Sequence, residues 1–126
     1  LDIPGFNQSL GPDTAVAGQL CDQIHVYVEN QISEYALRKI QSWGDCYLIV
    51  SGTGHVEDDD TDMQMSRLVD FACETSSGLE TILNQSYLAS QDPPTSFLAE
   101  DYQATVRIGI DHGSIHISYM HTTNTP

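Results

Sequence analysis

The stretch from Lys39 to Gly52, K-I-Q-S-W-G-D-C-Y-L-I-V-S-G, leaves the chain little choice of local structure. Tyr47 to Val50 is a continuous β-prone run bounded by Gly44 and Gly52, the pattern of a strand buried on both faces. Ala36, Leu37 and Ile40 supply apolar points ahead of it, so two short strands joined by a tight turn at Gly44 and Asp45 are expected. Gly44 can take the backbone angles that a two-residue hairpin turn demands. Asp45 thereby becomes a carboxylate on a rigid loop at the edge of a core, which is what metal or phosphate chemistry needs. Asp is also a common turn residue for its own sake, so the local sequence leaves both roles open.

A chain of 126 residues is one domain's worth, enough for a single core, and its apolar content of 40% is ordinary for a folded protein. The formal charge is −14, with Arg38, Lys39, Arg67 and Arg107 as the permanent cations. That argues against binding nucleic acid or an anionic membrane through a broad basic face. An anionic small substrate would have to arrive with its own cation, a first hint of a divalent metal. No apolar stretch has the length needed to span a bilayer, and no charged-then-apolar leader opens the chain. The segment itself is therefore expected to be soluble, even if tethered through further sequence. Cys21, Cys46 and Cys73 are odd in number and widely spaced, with no C-x-x-C pair. Free, mostly buried thiols in a reducing compartment are expected, with neither zinc nor disulfides.

In chain order, Leu1, Asp2 and Ile3 read as the end of a strand, and Pro4 to Asn7 as a turn passing into a helix. Val16, Leu20, Ile24 and Val28 recur every fourth residue, which predicts an amphipathic helix from Thr14 to about Gln31. Its other face carries Asp22, His25 and Glu29 and should be solvated. After the hairpin come Glu57, Asp58, Asp59, Asp60 and Asp62. Their spacing fails as a calcium loop, because Met63 stands where glycine is needed and Val69 where a bidentate Glu is needed. They suit the positive end of a helix that continues through Met65, Leu68, Val69, Ala72, Leu79 and Leu83, with Gly78 a tolerated weak point. Residues 84–102, rich in Ser, Gln, Asp and Pro, read as an exposed, flexible insertion. Tyr102 to Ile110 then alternates, with Val106, Ile108 and Ile110 facing one way and Arg107 the other. A turn at Asp111, His112 and Gly113 leads to a returning strand with Ile115, Ile117 and Tyr119. This order predicts an α+β fold, a ferredoxin-like antiparallel sheet with helices on one face. The first strand belongs mid-sheet yet has three residues here, so a piece of a longer polypeptide is expected. Histidines 25, 55, 112, 116 and 121 form no ligand spacing, and Trp43 reads as a packing or dimer-face aromatic.

Three motifs in order resemble class III nucleotide cyclase catalytic domains: Asp2-Ile3-Pro4-Gly5-Phe6-Asn7, the hairpin Lys39 to Gly52, and Val106 to Gly113. Asp45-Cys46-Tyr47 is most similar to the first catalytic half of the two-part membrane adenylyl cyclases. Guanylyl cyclases more often show Asp-Ala-Tyr there. The resemblance implies that Asp2 and Asp45, with the Ile3 carbonyl, hold two Mg²⁺ or Mn²⁺ ions, as hard cations take oxygen ligands. It implies in-line attack of the ribose 3′-hydroxyl on the α-phosphate, with pyrophosphate leaving. The turn at Gly5, Phe6 and Asn7 would offer N–H groups to the other phosphates. Such ions would also reconcile an acidic protein with a nucleoside triphosphate.

The chain departs from the family at three positions. Pro4 lacks an N–H, Asn7 stands where Thr is usual, and Gln41 stands at the purine-choosing position where adenylyl cyclases have Lys and guanylyl cyclases Glu. Nothing after Tyr119 matches the later segment that carries a second purine contact and the Asn and Arg that steady the transition state. The resemblance therefore implies a second cyclase domain as partner, ATP or else GTP as substrate, and a place on the cytoplasmic side of a membrane within a larger protein. The contrasting expectation is a degenerate cyclase-like domain that dimerises and regulates, with Pro4, Asn7 and Gln41 in its favour.

Overall fold

The computed structural model describes residues 1–3, 14–52, 61–89 and 105–116. Its elements are α1 (Thr14–Glu34), β1 (Arg38–Trp43), β2 (Cys46–Val50) and α2 (Thr61–Ala89). The expected α1 forms and runs one turn further, because Ile32 continues the series of Ile24 and Val28 into the core. Its end is a left-handed cap. The Leu37 N–H donates to the Ile32 carbonyl, the Ala36 N–H donates to that of Ser33, and Ala36 sits at φ +50°.

β1 and β2 form the expected antiparallel hairpin, with Gly44 at φ +58° in its turn. The register shifts between Lys39 and Gln41, so Ile40 is an extra, bulged residue. The bulge reverses the alternation: Lys39 faces the helices and pairs with Glu29 of α1, whereas Gln41 and Trp43 share the opposite face.

The first residues complete the sheet. Leu1 and Tyr47 exchange both backbone hydrogen bonds, at 3.1 and 2.9 Å, and Asp2 and Arg107 exchange theirs at 2.8 Å. Mutual exchange is the antiparallel pattern. The order across the sheet is therefore β1, β2, the 1–3 segment and the 105–107 segment, with the opening strand in the middle as expected. Between Thr105 and His116 no hairpin pairing forms among the described residues; Ile110 and Ile115 stand exposed, and the His112 N–H donates to Asp111 Oδ1 at 2.8 Å.

One face of this sheet carries the core. Ile3 and Tyr47 pack with Ile24, Val28 and Ile32 of α1 and Phe71, Leu79 and Leu83 of α2, giving an α+β fold with both helices on one side. β2 is thus not buried on both faces. Leu48 is 47% exposed and Trp43 52%, because no layer among the described residues covers the far face. On α2, Gly78 is more than a weak point, since a side chain there would run into the Tyr27 hydroxyl. The helix continues to Ala89, so the stretch read as a flexible insertion begins as helix, and its remainder lies outside the described residues. All three cysteines are free as expected, but Cys21 and Cys73 are exposed rather than buried. No helix among the described residues is long and apolar enough to cross a membrane.

Candidate functional site

The Leu1–Tyr47 pairing, carried one step along the ladder, sets Asp2 opposite Cys46 and Ile3 opposite Asp45. Two segments more than forty positions apart in the chain thus become neighbours in the sheet. Their side chains have different surroundings. Asp2 lies on the face away from the helices, and Arg107 of the next segment grips it with both donors: Nε to Oδ1 at 3.2 Å and Nη2 to Oδ2 at 2.7 Å. The two residues are directly opposed across an antiparallel bridge, so their side chains share a face and the fork meets the carboxylate squarely. The bond from Arg107 holds the Asp2 carboxyl below its ordinary value and raises the guanidinium in return.

Asp45 sits in the turn, partly buried, and lines a cleft of about 250 Å³ between the turn and α1, with Cys21, His25 and Tyr47. Cys21 is exposed as a residue, but partial desolvation of its sulfur against the cleft, and then the carboxylates of Asp22 and Asp45, push the thiol up. Among the described residues no group of three His, Cys, Asp or Glu side chains gathers around one point. Two carboxylates and the Ile3 carbonyl are the donor types of a hard divalent cation. Asp2 lies on the face away from the helices, however, and Asp45 lines the cleft on the α1 side, so an ion shared by both would need the two side chains to turn toward each other. Such an ion would compete with Arg107 for Asp2. Gln41 is exposed on β1, opposite Leu48, on the face that also carries Trp43 and Asp2. Pro4, Gly5, Phe6 and Asn7 lie outside the described residues.

Three features escaped the sequence reading. Arg107 belongs to the site through its grip on Asp2, and its outward position in an alternating segment was the signal available. His25 and Glu29 are solvent-accessible as expected, His25 about half-exposed, but each also has a partner that the sequence did not indicate: His25 meets Tyr47, and Glu29 pairs with Lys39. The bulge at Ile40, which brings Lys39 round to the helix side, has no signature in sequence.

No curated protein and no solved structure matches the chain. The family model described as adenylate and guanylate cyclase catalytic domain matches residues 1–124, nearly the whole length. With a mid-sheet opening strand, a G-D-C-Y hairpin beside it and both helices on one side, the chain belongs to the adenylate and guanylate cyclase catalytic domain family, the nucleotide cyclases.

Proposed function

We propose that this chain is the metal-binding half of a nucleotide cyclase that makes cyclic AMP and pyrophosphate from ATP when paired with a second cyclase domain. The observation that carries the reading is the register between the 1–3 segment and β2, which makes neighbours of the segments bearing Asp2, Ile3 and Asp45. In this reading Asp2, the Ile3 carbonyl and Asp45 are the ligands of two Mg²⁺ or Mn²⁺ ions. When bound, these ions would ease ionisation of the ribose 3′-hydroxyl and offset the charge that develops at the α-phosphate. Arg107, beside Asp2, puts a guanidinium where phosphate oxygens would lie close to the carboxylates, and a planar fork suits them. Gly5, Phe6 and Asn7 would supply backbone N–H groups to the phosphates. Gln41 would face the purine, and its amide can meet either base, so GTP and cyclic GMP are the alternative substrate and product. The partner would cover the open sheet face with Trp43 and Leu48, bringing the transition-state groups. The segment would work at the cytoplasmic side of a membrane as part of a larger protein.

A second reading, a cyclase-like domain that dimerises and regulates without turnover, is favoured by the hold of Arg107 on both oxygens of Asp2. One experiment separates the two. In the full-length pairing, Asp2→Asn and Asp45→Asn should each cut Mn²⁺-dependent cyclic nucleotide production by at least about a hundredfold, the range of a lost charge-stabilising group. Unchanged production in both variants contradicts the catalytic assignment.

A further inference from the structure

Tyr47 is where the site meets the rest of the fold. It is buried, bonded through both backbone groups to Leu1, and paired with Ser42 across the hairpin. It is two residues from Asp45 along the chain, and its ladder neighbour Cys46 faces Asp2. Its hydroxyl lies 3.3 Å from Nδ1 of His25 on α1, and the two rings stack with centroids 6.1 Å apart and planes 29° from parallel. His25 Nε2 lies 3.7 Å from Glu29 Oε1, and Glu29 in turn pairs with Lys39 of β1. Glu29 lies beyond hydrogen-bond reach of Nε2, but its charge favours a proton on that nitrogen, and in that tautomer Nδ1 accepts from the Tyr47 O–H. The cleft between α1 and the turn has His25 on one wall and Asp45 on the other, with Tyr47 between them.

We infer that His25 is a positioning residue for the cation ligands: through Tyr47 it fixes the stance of the Asp45 turn and of the 1–3 segment against α1. This rests on the reading of Asp2 and Asp45 as ligands. Among the described residues His25 donates to and accepts from neither Asp2 nor Asp45, and acts at one remove. Loss of its nitrogen leaves the Tyr47 ring stacked and buried but removes the bond that fixes its angle. The consequence falls on cation affinity rather than on the fold.

The test uses the full-length protein assembled with its partner domain and Mn²⁺ alone as probe, titrated by loss of the free-ion paramagnetic resonance signal. A melting curve is recorded for each variant. His25→Phe keeps the ring and should weaken Mn²⁺ binding about threefold to tenfold, the worth of one hydrogen bond, with the melting temperature unchanged. Tyr47→Phe should do the same, the double variant should add nothing, and His25→Gln, whose amide oxygen can accept the Tyr47 proton, should recover most of the loss. The proposal is overturned if His25→Phe and Tyr47→Phe bind Mn²⁺ as wild type does while Asp45→Asn has lost it. It is equally overturned if the weakening tracks a fall in melting temperature and His25→Gln brings no recovery, since that is a structural role only. Should Asp45→Asn bind Mn²⁺ as well as wild type, the ligand assignment itself falls and the positioning role falls with it.

Discussion

Arg107 and Asp2 face each other across an antiparallel bridge with two charge-assisted hydrogen bonds between them. Because the guanidinium favours the charged carboxylate, the Asp2 carboxyl titrates below its ordinary value of 3.8. A depressed folded-state value means that the pair stabilises the fold above the unfolded carboxyl's titration and that this support is lost as pH falls through the folded value. Arg107→Gln should therefore raise the Asp2 titration toward 3.8, followed by the carboxyl ¹³C shift, and shrink the acid-side dependence of stability. The candidate carboxylates were legible in the sequence because each sits inside a short motif. Arg107 was legible only as an outward-facing residue, since its partner lies 105 positions away and the pairing is made by the sheet. His25 does face solvent in part, as periodicity predicts, but its bond to Tyr47 is silent in sequence for the same reason: helical periodicity ranks faces by apolarity and cannot see a tyrosine hydroxyl arriving from a strand.

The hairpin and both helices follow from periodicity, and their apolar stripes supply the core as expected. Their ends do not follow. α1 was expected to stop near Gln31, yet it reaches Glu34 and closes through a left-handed residue that is alanine where glycine is favoured. The apolar contact of Ile32 and Leu37 within the core holds that cap in place of a glycine signal. Ala36 therefore carries backbone strain, and Ala36→Gly should raise the unfolding free energy by about 1 kcal/mol in urea denaturation. A decrease would mean that the turn does not keep φ +50° in solution. The bulge at Ile40 is equally silent in sequence. Its effect is large, since it sends Lys39 to Glu29 while leaving Gln41 and Trp43 on the open face.

Across the whole molecule, the sheet has one face filled by helices and one lined by Trp43, Leu48, Gln41 and the Asp2–Arg107 pair. The α+β architecture and the mid-sheet place of the opening strand were readable from element order. The open face was not, because a continuous run from Tyr47 to Val50 reads as doubly buried whether its second cover comes from the same chain or from another. A cyclase partner on that face would make Trp43 and Leu48 contact residues. Trp43→Ala with Leu48→Ala should then weaken assembly by about tenfold or more in sedimentation equilibrium, with little change in the melt of the separate chain. The central claim is that Asp2 and Asp45, joined by the register of two short segments, share divalent cations. Its most direct measurement is anomalous diffraction at the manganese edge from the assembled pair, crystallised with Mn²⁺ and a non-cyclising nucleotide analogue. Peaks within coordination distance of both Asp2 and Asp45 are the expected result; a map with manganese bound elsewhere, or with Asp2 still held by Arg107 and no peak beside Asp45, would contradict it.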